Sequence, residues 1–178
     1  GAVVANINTP LYPASKNQHN KLLTVPYFIY RGDVIRIGDK SIVSAVAVEK
    51  PSYKVDLSLR AAFKTNSEDS KVRKGMPELD YLFEFGPKFS FLLNQKKTHE
   101  TWLDLQFRGV FSTDFSNINQ RGYAFEPSLF WKTNNFIFDN SITTISLSST
   151  IASKKTHQYF YNVDNQYVTE QRGFYAAD

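Results

Sequence analysis

Cysteine is absent from the 178 residues. That single gap excludes disulfide scaffolds, thiolate zinc sites, iron–sulfur clusters and thiol nucleophiles together. No apolar run reaches the roughly 18 residues that a spanning helix needs, so any membrane crossing has to use strands. The opening GAVVANINTP has neither the basic stretch nor the long apolar stretch of a secretion signal. Either none existed or it has been removed. Neither a fixed-period repeat nor a low-complexity linker divides the chain. Basic residues number 21 against 17 acidic ones, a mild excess of +4. They are scattered rather than clustered, which argues against nucleic acid as a partner.

What the chain does have is aromatic surface. Fifteen Phe, ten Tyr and two Trp make up 15% of it, and side chains of this size have to be withdrawn from water. Their spacing is the strongest signal. In residues 53–64, Tyr53, Val55, Leu57, Leu59, Ala61 and Phe63 alternate with Lys54, Asp56, Ser58, Arg60, Ala62 and Lys64. Successive strand side chains point to opposite faces, so this is a strand with one greasy and one charged side. Residues 79–94 repeat the pattern, with Phe83, Phe85, Phe89 and Phe91 against Asp80, Glu84, Lys88 and Ser90. Leu82 and Leu92 are exceptions on the polar side. Pro87 cannot donate to a ladder, which predicts a bulge or kink there.

Residues 101–111 set Leu103, Leu105 and Phe107 against Trp102, Asp104, Gln106 and Arg108, and residues 121–132 set Tyr123, Phe125 and Trp131 against Glu126 and Ser128. Residues 135–152 read as a weaker Ser/Thr-rich strand or strand pair. Residues 22–37 read as one long strand broken near Gly32, followed by a hairpin turn at Gly38-Asp39-Lys40. Connections alternate between short ones and longer polar ones, at 65–77 and 112–121. An up-and-down sheet with one plain and one elaborate rim does this. The stretch KTNSEDSKVRKG (64–75) reads as a solvated connector, and residues 9–21 do not fit the alternation.

Period alone leaves two architectures open. A soluble sandwich or lipocalin-like barrel turns the apolar face inward, but a small barrel has limited room for so many phenyl rings. A membrane barrel turns that face to lipid and pairs its charges in a wet lumen. Strands of this length suit a tilted crossing, which needs about 9–11 residues, and the membrane barrel is favoured. On it, Asp56, Arg60, Asp80, Glu84, Lys88, Asp104, Arg108 and Glu126 are the expected lumen-facing polar residues. Their mixed signs predict mutual pairing rather than an ion-selective pore or acid–base chemistry. Tyr27, Tyr53, Trp102, Tyr123 and Trp131 are the expected aromatics of the bilayer interfaces.

Enzyme motifs are missing. His19, His99 and His157 are dispersed in predicted loops or strand ends, with no HxH or HExxH spacing, and no GxSxG elbow exists. Arg31-Gly32-Asp33 spells an adhesion tripeptide, but a strand break at glycine is the simpler reading. The sequence therefore predicts neither catalytic residues nor a metal or other cofactor.

Several stretches resemble one known family. TPLYPAS (9–15), VPYFIYRGDVIRIG (25–38), GMPELDYLFEFGP (75–87), LQFRGVFSTDF (105–115) and RGYAFEPSLFW (121–131) occur in order across nearly the whole chain. They look like the outer-membrane family of the MltA-interacting protein and OmpV (MipA/OmpV-like). That resemblance implies an all-β, antiparallel up-and-down β-barrel in a Gram-negative outer membrane, surrounded by lipid and lipopolysaccharide. It implies a non-enzymatic scaffold joining a murein lytic transglycosylase to a penicillin-binding synthase; a channel or small-solute pore linked to osmotic response is the alternative. Nine or ten strands are expected in a single domain over 1–178. Family members usually continue further, so the C-terminal strands of the barrel are expected to lie outside this chain or to come from another chain.

Overall fold

The computed structural model describes residues 2–26, 30–31, 36–37, 45–136 and 138–178. They form an almost entirely antiparallel β structure with one α-helix. Its centre is three long strands, β7 (Tyr81–Gln95), β8 (His99–Thr113) and β9 (Ile118–Asn134). Preceding them are β5 (Ala45–Glu49) and β6 (Tyr53–Ala62), and following them β10 (Ile142–Ser148) and β11 (Ile151–Ala152). Neighbours in sequence are neighbours in the sheet, in the order β5-β6-β7-β8-β9-β10, with β11 also on β9. This is the up-and-down order that the alternating pattern predicts. The sheet is open, and no pairing among the described residues joins its β5 and β10 edges.

The N-terminal strands β1 (Ala2–Pro10) and β2 (Gln18–Pro26) pair as a separate hairpin. Its turn accounts for the stretch 9–21 that broke the alternation: Leu11 N–H donates to the Asn17 carbonyl at 3.0 Å, and Leu11 is buried. Residues 22–37 are not one long strand. β3 (Tyr30–Arg31) and β4 (Arg36–Ile37) pair antiparallel with each other, so the chain reverses between them. These short pieces, with the split of the last edge into β10 and β11, bring the strands to eleven among the described residues. The predicted turn at Gly38-Asp39-Lys40 lies outside the described residues, as do Gly32 and Asp33.

Register shifts fall elsewhere than at Pro87. The β7–β8 register is the same on both sides of Pro87, and the shift lies between Leu92 and Asn94. Leu57 sits opposite Pro87 on β6, and at neighbouring Gly86 a Cβ would lie 2.0 Å from the Phe107 carbonyl oxygen. The absent side chain permits that close approach of β8. A second shift, between Val110 and Phe111, leaves Arg121 as the extra residue of β9 beside Gly122 at φ +117°.

The two rims differ. At one, the connections are short: 50–52 and 96–98, with 135–141 somewhat longer. The other carries residues 63–80, the β1–β2 turn and everything after β11. The connection at 114–117 is tight, because β8 and β9 run on through much of the predicted loop; Asp114 accepts from the N–H groups of Ser116 and Asn117.

Residues 64–75 are not a solvated connector. Thr65 and Leu79 exchange backbone hydrogen bonds of 2.7 and 3.1 Å, and Ser67, Ser70 and Arg73 are buried. The Arg73 guanidinium donates to the carbonyls of Phe160 and Pro77 at 2.7 and 3.0 Å, tying the charged loop to the chain after β11 as well as to its own backbone.

After β11 comes α1 (Lys154–Tyr161). The two-residue period stops at Ala152, and Thr156, Tyr159 and Phe160 then recur at helical spacing. α1 lies on the polar side of the sheet. Tyr159 and Phe160 pack on Leu82, Val110 and Ala124, the buried apolar cluster. Leu82, the exception in the alternation, is thus where the helix sits. Gly122 makes the close contact possible: a Cβ there would lie 2.1 Å from Ser153 Oγ and 2.6 Å from Thr156 Oγ1.

Candidate functional site: a buried ion-pair cluster

The sheet is inverted relative to a water-soluble one. Along β8, Phe107 is 46% exposed and the adjacent Arg108 is 2% exposed. The same holds across the sheet, where Leu59, Phe85, Tyr123 and Leu129 are exposed while Asp56, Ser90, Ser112, Glu126 and Ser128 are buried. Phe83 and Phe89 share the apolar face and are partly exposed.

Arg108 organises the polar face. Its Nε donates to Glu84 Oε2 at 2.8 Å, its Nη2 to Glu126 Oε2 at 2.9 Å and its Nη1 to Gln106 Oε1 at 3.0 Å. The register explains why these meet. Glu84 stands opposite Val110 and Glu126 opposite Gln106, so each carboxylate is diagonal to Arg108 across a strand pair. Arg60 adds a second cation to Glu126 at 2.9 Å, and Thr150 donates to the same oxygen at 3.2 Å. Ser58 donates to Gln106 at 2.8 Å. Two arginines thus face two glutamates, and the cluster carries no net charge. Desolvating so many charges is tolerable because each is paired and hydrogen-bonded.

The other expected polar residues lie nearby. Lys88 and Asp56, opposite each other in register, pair at 3.2 Å. Asp104 is partly buried between Ser90 and Ser128 on the neighbouring strands. Asp80 is apart from the cluster, one residue before β7, where Arg121 approaches to 4.0 Å. Asp80 and Glu84 therefore have different cationic neighbours and form no carboxylate dyad.

Of the aromatics expected at interfaces, Tyr53 and Tyr123 are exposed on the apolar face near opposite rims. Trp131 lies on that face and meets Phe136 edge-on at 5.4 Å. Trp102 is on the polar face, with Lys54 Nζ 5.2 Å from its ring. Tyr27 lies outside the described residues. His99 opens β8 beside Trp131. His157 is on α1 rather than in a loop, with Nδ1 2.7 Å from the Asp178 carbonyl oxygen. Among the described residues, no three His, Asp or Glu side chains gather as a metal site.

The pattern of residues 101–111 gives no hint that Gln106 bridges the cluster, although it lies between Asp104 and Arg108 on the charged side. The contacts of α1 were equally hidden. The Asp80 N–H donates to the Tyr159 hydroxyl oxygen at 2.9 Å, and the Arg121 guanidinium lies 4.3 Å from the centre of the Tyr159 ring. Burial pushes the Tyr159 phenol above its ordinary value.

Together these features define a class: an antiparallel sheet protein that buries its charged face and exposes its apolar one. A protein-family model described as MltA-interacting protein MipA matches residues 2–178. The chain belongs to that family, which fits a role linked to MltA. No curated protein and no solved structure matches it.

Proposed function

We propose that this chain forms an outer-membrane β-barrel wall and serves as a non-enzymatic scaffold, holding a murein lytic transglycosylase and a penicillin-binding synthase together. The observation that carries the membrane half of this reading is the inverted burial of neighbours such as Phe107 and Arg108. In lipid, exposed phenyl groups are at no disadvantage, while charges have to pair inside. β7 and β8, at 15 residues each, have ample length for a tilted crossing. Membership of the MltA-interacting protein family supports the transglycosylase as one partner.

Short turns mark the periplasmic rim in bacterial barrels. By that rule the rim of 50–52, 96–98 and 135–141 faces the periplasm and offers the docking surface. Phe136 and Phe138 there are 60% and 73% exposed. The full chain, purified in detergent, is expected to bind immobilised lytic transglycosylase of the MltA type, and Phe136→Ser with Phe138→Ser to weaken that binding. Absence of any binding by the folded protein overturns the scaffold. A channel is the second reading. The cluster around Arg108 and the helix on the polar face both fill the space a channel needs, so no steady current is expected in a planar bilayer; a steady current would favour the channel.

A further inference from the structure

We infer that the elaborate rim holds a binding pocket for a small amphipathic anion, a carboxylate on an apolar body. A cavity of about 330 Å³ lies between the β1–β2 turn, the end of β6, the start of β7 and α1. That is within the roughly 300–1,000 Å³ of small-molecule sites. Leu11, Phe63, Leu79, Tyr159 and Phe160 make its walls mostly apolar. Three charged residues line it: Arg60, Asp80 and Glu84.

Their existing partners decide the sign of the ligand. Glu84 already accepts from buried Arg108 at 2.8 Å, and only 14% of its side chain is exposed. Asp80 has Arg121 at 4.0 Å and is 27% exposed. Arg60 is half exposed and uses Nη2 alone, on a Glu126 oxygen that it shares with Arg108. Its Nε and Nη1 have no hydrogen-bond partner among the described residues. A planar guanidinium with spare donors beside apolar walls matches a carboxylate with a hydrocarbon or aromatic body. The pocket is built from the rim's own contacts and stands independently of the scaffold reading.

The test is fluorine NMR of para-fluorohydrocinnamate with the full chain in non-ionic detergent, beside the corresponding amide and amine. Saturable binding of the carboxylate is expected, with the amide about tenfold weaker. Arg60→Gln should weaken the carboxylate to the level of the amide. Ala62→Phe, which enlarges a lining side chain while leaving the Arg60 guanidinium in the chain, should abolish binding of both; near-UV circular dichroism identifies variants that retain the native fold. No saturable binding, tighter binding of the amine, or binding unchanged in both folded variants would overturn the inference.

Discussion

Phe107 and Arg108 are consecutive residues of one strand, yet they occupy opposite environments: the phenyl ring is exposed and the guanidinium sealed in. On the exposed apolar face, rings stack on rings, as in the Phe107–Phe125 pair at 4.5 Å and the Phe85–Phe111 pair at 5.2 Å. On the buried polar face, the hydrogen bonds of Arg108 are all directional and charge-assisted. The difference teaches that the fold is specified from its polar side. The exposed face needs only to be apolar, whereas the buried face needs particular partners at particular register positions.

Substitutions at these two neighbours should therefore fail for different reasons. Arg108→Met leaves Glu84 and Glu126 buried without their main cation and is expected to cost about 3–5 kcal/mol, measured by urea unfolding in lipid vesicles. Phe107→Lys places a charge on the exposed apolar face. It should cost about 2–4 kcal/mol in a bilayer, and an unchanged midpoint there would mean the face meets water. Gly122→Val probes the buried face at its other end. With φ at +117° and no room for a Cβ, it should cost about 1–3 kcal/mol, seen as protease cleavage after Ser153 while the sheet stays intact. The smallest effect belongs to Tyr159. Tyr159→Phe removes one hydrogen bond to the Asp80 backbone and should cost about 0.5–1.5 kcal/mol. Because the folded-state phenol titrates above its unfolded value, its contribution is complete below about pH 10 and lost as pH rises through the folded value. The base-induced loosening of α1, followed by amide exchange, should be smaller in Tyr159→Phe.

The faces were legible in the sequence because a period of two reports them directly. Asp56, Lys88, Glu84, Arg108 and Glu126 could be assigned to one side from spacing alone, and their mixed signs pointed to pairing. Which carboxylate meets which arginine was not legible, since diagonal contacts depend on strand register. Nor was α1, which at eight residues is short and is held by distant residues: Gly122, Asp80 and Arg73. Leu82 carried a trace of it, as an apolar residue where the pattern called for a polar one. The stretch 64–75 looked solvated because its composition is charged, yet Arg73 is buried against carbonyls that composition does not reveal.

The most direct test of the inverted sheet is nitroxide accessibility in lipid vesicles, with single labels at Phe85, Phe107 and Leu129. Relaxation by dissolved oxygen and protection from a water-soluble nickel chelate are expected at all three positions. Strong relaxation by the nickel chelate at these positions would contradict the inverted sheet.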